Sequence, residues 1–257
     1  HYRLFKGTIV DCTLETPQCV VFDNVLEPNQ YDSLWKHIQL LDFVNVHQHS
    51  WQKIWRLTDG NILQGPLIEW FQEELNQINQ KSDSPSAKMR YPTGTIFDLV
   101  LEKTREVALQ LPKLVQSQYQ DWNLLTAQTY LYPAGSGLAW HSDSEIYTGA
   151  YTYYCHPSWD SLYGGELMIS SAQYAKPPEV VTYKQDGTEL DIKKTTLGAH
   201  LDNQFQDSLL SKMGTGMYIA PKPNRLVILS GGAYHRINPV TQAAGKNVRT
   251  AISGFFV

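Results

Sequence analysis

Apolar and polar positions in the first half of the chain follow the period of an α-helix. Behind a Glu-Pro-Asn start signal, one apolar stripe with spacings of three and four residues predicts a helix that ends near Leu41. The same periodicity predicts a second helix over about 65–80 and a third from about residue 93 to Pro112. We therefore expect residues 1–123 to form a helical support region.

The period changes near Leu124, beyond which the apolar residues form short β-prone runs. Glycine, proline and aspartate separate these runs, which are Thr126–Tyr132, Tyr147–Cys155, Glu166–Ser170, Val180–Lys184, Glu189–Lys193, Arg225–Leu229 and Val248–Val257. Asp186-Gly187 predicts a two-residue hairpin turn between two of them. Many short strands after a helical block are typical of an α+β fold with helices on one face of a two-sheet antiparallel barrel, the jelly roll or double-stranded β-helix. We expect one domain over 1–257, with its jelly-roll core at 124–257.

Composition narrows the class of protein. The chain has 257 residues, of which 42% are hydrophobic and 18% charged, and this is ordinary for a globular domain. A net charge of −4 gives no basic field for a nucleic-acid backbone, so we expect no nucleic-acid partner. The three cysteines, Cys12, Cys19 and Cys155, lack metal spacing and even number, which favours free thiols in a reducing cytoplasm. The sequence has no apolar run of about 18 residues, which would indicate a membrane span. It also has no basic-then-apolar leader pattern, which would indicate secretion.

The segment Tyr132–Asp143 ends in two potential metal ligands, His141 and Asp143, with one residue between them. Side chains alternate faces in an extended segment, so these two point the same way. With a second, distant histidine they would form a 2-His-1-carboxylate face with three open positions, the arrangement of mononuclear iron(II) oxygenases. By itself the tripeptide is more typical of a solvated loop, so this interpretation depends on the rest of the chain.

His235 and Arg249, in the C-terminal part of the chain, strengthen the metal interpretation. His235 follows a buried strand and a glycine-containing turn that would present an imidazole. Arg249 interrupts an otherwise apolar strand, and a charge that faces a barrel interior is costly unless a partner such as a dicarboxylic cosubstrate pairs with it. Arg249 on the outer face, or paired with a structural carboxylate, is the alternative.

These residues belong to an ordered series of motifs that resembles a known family. The series is Tyr132-Pro, His141-x-Asp143, Tyr153-Tyr154, Trp159-Asp160, Gly164-Gly165-x-Leu167, Asn224-Arg225-Leu226-Val227, His235-x-x-x-Pro239 and Arg249-x-Ala251-Ile252. In order and approximate spacing it resembles the prolyl-4-hydroxylase-like branch of the iron(II)- and 2-oxoglutarate-dependent oxygenases, over about residues 124–257.

The resemblance implies a ligand set and a cosubstrate site. His141, Asp143 and His235 would bind the iron, with His200 as the alternative distal ligand. Arg249 would bind the distal carboxylate of 2-oxoglutarate, a role that passes to Lys246 if the strand register is shifted. Tyr132 and Tyr154 would lie against the cosubstrate, or else serve as packing aromatics.

The resemblance also implies an activity. With Fe(II), 2-oxoglutarate and O2, and with ascorbate as an optional reductant, the enzyme would release succinate and CO2 and hydroxylate an unactivated C–H bond. We expect a small-molecule substrate, either a free amino acid or a natural-product intermediate. The residues expected to line its pocket are Trp140, Glu145, His156 and Trp159.

Other readings stay open at this stage. A long insertion at 171–222 would be a lid over the substrate, or an extra hairpin and helix that cover the barrel. A peptidyl, prolyl-type hydroxylase and a desaturase or cyclase use the same core motifs. A nucleic-acid dealkylase and a non-catalytic binding module are the more distant alternatives. The sequence leaves the oligomeric state open.

Overall fold

Strands dominate the structure, from the first residues of the chain to the last. A computed structural model describes residues 2–5, 8–47, 55, 57–72, 88–115, 122–143, 146–171, 180–185, 188–193 and 214–257. In the first half of the chain the elements are β1 (Tyr2–Phe5), β2 (Thr8–Glu15), β3 (Cys19–Asp23), α1 (Pro28–Ile38), β4 (Val44–Asn45), β5 (Leu63–Phe71), β6 (Lys88–Arg90), α2 (Phe97–Ala108) and α3 (Pro112–Val115).

The second half contains ten strands among its described residues. They are β7 (Leu124–Tyr132), β8 (Leu138–His141), β9 (Gly149–Tyr154), β10 (Leu167–Ser170), β11 (Val180–Gln185), β12 (Thr188–Lys193), β13 (Gly216–Ile219), β14 (Arg225–Ser230), β15 (His235–Ile237) and β16 (Arg249–Phe256). The seven predicted runs correspond to β7, β9, β10, β11, β12, β14 and β16, and their prediction is confirmed.

Eight of these strands form a jelly roll. The larger sheet has the order β1-β2-β3-β14-β9-β16-β7-β5-β4, and the smaller sheet has the order β13-β10-β15-β8. Along the chain, β7, β9, β14 and β16 lie in the large sheet, whereas β8, β10, β13 and β15 lie in the small one. Antiparallel strands that switch repeatedly between two facing sheets define the double-stranded β-helix, so the predicted fold class is confirmed.

The predicted first and third helices are α1 and α2. Helix α1 begins with Pro28 in its first turn behind a capping box formed by Glu27 and Gln30. Apolar residues of both helices pack in one cluster with outward-facing side chains of the large sheet, such as Leu125 and Ile252. The helices therefore cover the outer face of this sheet, as the pattern indicates.

The predicted helix over 65–80 is wrong for the part that the structure describes. Residues up to Phe71 belong to β5, which pairs with β7, and residues 73–80 lie outside the described part. Pro66 cannot donate a backbone hydrogen bond, and the ladder shifts register between Gln64 and Leu67, where it lies. Pairing with a central strand thus overrides a local helical spacing.

Residues 1–123 are consequently more than helical support, which corrects that expectation. The hairpin β2–β3 extends the large sheet beyond β14, and β4 and β5 extend it beyond β7. Both halves of the chain share one sheet. In the described part of the chain, no helix combines the length and apolar character needed to span a membrane. All three cysteines are buried free thiols, as predicted.

The expected insertion at 171–222 is interrupted by a core strand. Within it, β13 pairs with β10 in the small sheet, so Gly216–Ile219 is part of the barrel. Strands β11 and β12 pair with Gln185 opposite Thr188, while Asp186 and Gly187 themselves lie outside the described residues. The interpretation of the remaining segment as a lid stays a prediction.

Candidate metal centre

Three potential metal ligands converge at one end of the small sheet. His141 ends β8 and His235 begins β15, and the two are paired across the antiparallel ladder with ring centroids 4.3 Å apart. Nε2 of His141 lies 3.6 Å from Oδ1 of Asp143, and Nε2 of His235 lies 3.9 Å from Oδ2. All three ligand atoms are within 4.8 Å of one another, and no other group of this kind is found among the described residues.

Backbone hydrogen bonds orient both imidazoles in the same way. Nδ1 of His141 lies 2.8 Å from the carbonyl oxygen of Ala139, and Nδ1 of His235 lies 2.9 Å from that of Ala233. Because a carbonyl oxygen only accepts, each Nδ1 must carry the proton, so Nε2 is the ring nitrogen whose lone pair can bind a metal. Both lone pairs therefore face the carboxylate of Asp143.

The electrostatics of this cluster favour a cation. Burial raises the pKa of Asp143, and the proximity of His235 only partly opposes this. Two nitrogen lone pairs and a buried carboxylate together form an electron-rich face that a divalent ion would satisfy. Two imidazoles and one carboxylate on one side suit Fe(II), so the donor set fits the predicted metal.

Arg249 faces the barrel interior, which excludes the outer-face alternative. It is fully buried, its Nε donates to the carbonyl of Gly165 at 2.8 Å, and its Cζ lies 4.9 Å from the rings of both Tyr132 and Tyr154. Among the described residues, neither Nη1 nor Nη2 has a hydrogen-bond acceptor, and no carboxylate pairs with them. A buried guanidinium with two unused donor groups fits a bidentate carboxylate. Lys246 is exposed, so the register that favours Arg249 is right.

Two tyrosines enclose the guanidinium. Burial raises the pKa of Tyr132 and of Tyr154, and the charge of Arg249 opposes the shift in both cases. Both phenols therefore stay protonated and can donate to an anion. Their rings shield the charge from water and give it two cation–π contacts.

Gly165 allows this arrangement at close range. Its φ is +75°, and a Cβ built there would lie 2.8 Å from Cδ of Arg249. The neighbouring Gly164 accepts a hydrogen bond from Nε1 of Trp159 at 2.8 Å. The sequence did not identify the Gly165 carbonyl as the partner of Arg249.

A cavity joins the metal ligands to Arg249. Its further walls are aromatic, aliphatic or neutral polar, and the described ones include Trp55, Tyr130, Leu138, Thr152, Ile237, Ser253 and Phe255. Sequence reasoning missed Trp55 and Tyr130. Tyr130 could have been found, because it lies two residues before Tyr132 on one strand and so shares its face. Trp55 comes from a region far from every motif.

Of the predicted substrate residues, the three that the structure describes, Trp140, His156 and Trp159, do not line this cavity. Trp140 alternates with His141 on β8, and it packs instead under the guanidinium of Arg236, 5.8 Å away, on the other face of the small sheet. Trp159 packs between His156 and Tyr163 in the barrel wall. Glu145 lies outside the described residues.

His156 is a buried structural histidine. Its Nε2 lies 2.6 Å from the carbonyl of Pro221, and its Nδ1 accepts from the backbone N–H of Thr250 at 3.3 Å. Burial lowers the pKa of His156 to about 4, and the charge of Arg249 contributes in the same direction. The neutral ring thus ties the start of β16, next to Arg249, to the loop before β14.

Comparison with known proteins decides the family. Residues 127–257, slightly more than half of the chain, match the family model described as the 2OG-Fe(II) oxygenase superfamily. The chain belongs to this superfamily. It is a 2-oxoglutarate-dependent dioxygenase, and its cofactors are Fe(II), 2-oxoglutarate and O2, as the resemblance implied.

Solved structures with a similar fold are distant in sequence. A prolyl-4-hydroxylase from Pseudomonas putida is 14% identical with a TM-score of 0.47, and the match covers 93% of this chain and 91% of that one. A 2OG-Fe(II) oxygenase family oxidoreductase from Burkholderia pseudomallei is 12% identical with a TM-score of 0.49, over 95% and 92% of the two chains. A Trichoplax adhaerens prolyl hydroxylase, solved with a hypoxia inducible factor peptide, is 12% identical with a TM-score of 0.45, over 94% and 84%. No curated protein matches the chain.

Proposed function

We propose that this dioxygenase hydroxylates an unactivated C–H bond of a small molecule and releases succinate and CO2. His141, Asp143 and His235 would hold Fe(II), which supplies the activation of O2 for C–H oxidation when bound. Arg249 would hold the distal carboxylate of 2-oxoglutarate. One observation carries this proposal: a single cavity contains both the three converging ligands and the buried guanidinium with two unused donor groups.

The protein's own contribution is positioning and exclusion of water. The carbonyls of Ala139 and Ala233 fix the two imidazoles, so the ligand face is organised before the metal arrives. The rings of Tyr132 and Tyr154 keep water from the guanidinium, which strengthens its pairing with a carboxylate.

The cavity walls favour a neutral substrate. Among the described residues that line the cavity, only Asp143 and Arg249 carry a full charge outside the histidines, and both are assigned to the cofactors. A free amino acid would bring an ammonium and a carboxylate, each costly to bury without a partner. Of the two substrate classes expected from the sequence, the natural-product intermediate is therefore the better supported.

Tyr130 would recognise a hydrogen-bond donor on that substrate. Nε2 of Gln128 donates to the carbonyl of Gly65 at 2.8 Å, so its Oε1 is left to accept the Tyr130 hydroxyl proton at 2.9 Å. The phenolic oxygen of Tyr130 can then only accept a further hydrogen bond from the cavity side. The ring of Trp55, 5.4 Å from that of Tyr130, would provide an apolar surface beside this acceptor.

Succinate formation across three substrate groups tests the proposal. We would supply Fe(II) and 2-oxoglutarate with neutral aromatic natural-product compounds, free amino acids or proline-containing peptides, and follow succinate and product mass. We expect substrate-dependent succinate with the neutral compounds and a product that gains one oxygen. His235→Ala should abolish turnover, because it removes a ligand. Coupled turnover of peptides alone would identify a protein hydroxylase, and a loss of two hydrogens would identify a desaturase or cyclase.

A further inference from the structure

The strand that carries His141 lies at the edge of the small sheet. Strand β8 is last in the order β13-β10-β15-β8, and its ladder with β15 has only two paired positions with a register shift between them. A short edge strand with an irregular ladder does not by itself fix the position of a metal ligand. Another part of the molecule must therefore hold β8 in place.

Asp59 makes two hydrogen bonds to this edge. Its carboxylate Oδ1 accepts from the backbone N–H of Ala139 at 3.0 Å, and its backbone carbonyl accepts from the N–H of Gly137 at 2.9 Å. Asp59 is only 6% exposed and ends a short 3-10 turn, Leu57–Asp59. Asp59 thus bonds to the side of β8 on which no strand pairs in the described part of the chain.

Close backbone packing fixes the turn against β8. The next residue, Gly60, has φ +85°, and a Cβ there would lie 2.8 Å from both the carbonyl oxygen of Gly135 and Cα of Ser136. The turn thus touches the backbone of the loop between β7 and β8. Asp59 cannot shift without moving this loop.

Ala139 connects Asp59 to the metal ligand. Its N–H is held by the Asp59 carboxylate, and its carbonyl accepts the Nδ1 proton of His141 at 2.8 Å. The corresponding residue before the distal ligand, Ala233, has its N–H bonded to a backbone carbonyl, that of Ser230 at 3.4 Å. The carboxylate side chain of Asp59 therefore supports the imidazole of His141 through Ala139.

We infer that Asp59 is a positioning residue that sets the orientation of His141 toward the metal. This inference rests on the metal site proposed above. The family model begins at residue 127, so Asp59 lies outside the matched region. Support for a metal-bound histidine typically changes metal affinity by about 10- to 100-fold when it is removed.

Metal binding without turnover tests the inference. We would titrate the metal-free protein with Co(II) alone and read the d–d absorption. Asp59→Ala should weaken Co(II) binding by about 10- to 100-fold. Asp59→Asn keeps an acceptor oxygen for Ala139 and should stay within about threefold of the wild type in Co(II) affinity.

Asp98→Ala is the matched control, because that carboxylate accepts from the N–H groups of Thr93 and Gly94, both at 2.8 Å, in a turn before α2. It should lower the unfolding midpoint and leave Co(II) affinity unchanged.

Each outcome bears on the inference. Wild-type affinity in Asp59→Ala, or no rescue in Asp59→Asn, would overturn it while leaving the metal site intact. Absence of Co(II) binding by the wild type would overturn the metal site as well. If Asp59→Ala does not fold, amide hydrogen exchange of the metal-free wild type decides, since the Ala139 amide should exchange slowly. Exchange as fast as that of an exposed loop amide would refute the support by Asp59.

Discussion

Replacing Arg249 by methionine tests the cosubstrate site most directly. Methionine keeps much of the length of the arginine side chain and removes the charge, together with the two donor groups that have no acceptor among the described residues. We expect Arg249→Met to bind 2-oxoglutarate far more weakly. We also expect it to fold normally, because the loss of the Nε hydrogen bond to Gly165 and of the two cation–π contacts is offset when a buried charge without a described carboxylate partner is removed.

The magnitude follows from the two unused groups, Nη1 and Nη2 of Arg249. Each charge-assisted hydrogen bond contributes about 1.5–3 kcal/mol, so the pair contributes about 3–6 kcal/mol, or roughly 10²- to 10⁴-fold in affinity. Arg249→Lys keeps the charge but cannot bond to a carboxylate and to the Gly165 carbonyl in the same geometry. It should recover only part of the loss.

Calorimetric titration of the Co(II)-loaded protein with 2-oxoglutarate under argon gives the affinity without turnover. In a parallel measurement, the cosubstrate should raise the unfolding midpoint of the wild type and leave that of Arg249→Met unchanged. Without the cosubstrate, the free energy of unfolding should differ by no more than about 1 kcal/mol between the two proteins. An affinity within threefold of the wild type would refute the assignment, and a large loss of stability without cosubstrate would show that the guanidinium is structural.

Three further predictions concern the surroundings of the site. Burial holds the pKa of His156 at about 4 in the folded protein. As the pH falls, the unfolded chain therefore takes up the proton first, and the folded state loses stability from about pH 6.5 down to pH 4. Chemical denaturation should show that His156→Gln loses about 2 kcal/mol less than the wild type between pH 7 and pH 5. Gly165→Ala should displace Arg249 and raise the 2-oxoglutarate concentration needed for half-maximal turnover. The control is Gly94→Ala, at a φ of +72° with no atom within 4 Å of the added Cβ, which should only lower the unfolding midpoint. With excess chloride the product should still gain one oxygen, because Asp143 fills the third ligand position; a chlorinated product detected by mass spectrometry would contradict that assignment.

Local patterns predicted five of the eight core strands, β7, β9, β10, β14 and β16, because each of these has its own period and its own turn residues. They failed at β5, where a helical spacing runs through Gly65-Pro66 and pairing with β7 decides the structure. They also missed β13, because Gly216–Ile219 is short and partly exposed and is defined by its pairing with β10. Long-range pairing of this kind leaves little local trace.

Candidate cofactor residues stand out in the sequence because their chemistry restricts residue type and spacing. His141, Asp143 and Arg249 each lie where the pattern placed them, the first two on one face and the third in the barrel. The substrate residues could not be predicted in this way. Trp140 is adjacent to a ligand in sequence but faces the other side of the sheet, whereas Trp55 is distant in sequence and lines the cavity.

The functional unit extends beyond the region that matches the family. The matched residues 127–257 contain the three proposed metal ligands and Arg249, yet Trp55 lines the same cavity and Asp59 accepts a hydrogen bond from the edge strand β8. The same N-terminal half covers both edges of the core part of the large sheet, with β3 beside β14 and β5 beside β7. Without it, two strand edges and an apolar outer face would be exposed, and such surfaces aggregate. The early residues therefore both complete the fold and contribute to the wall of the candidate site.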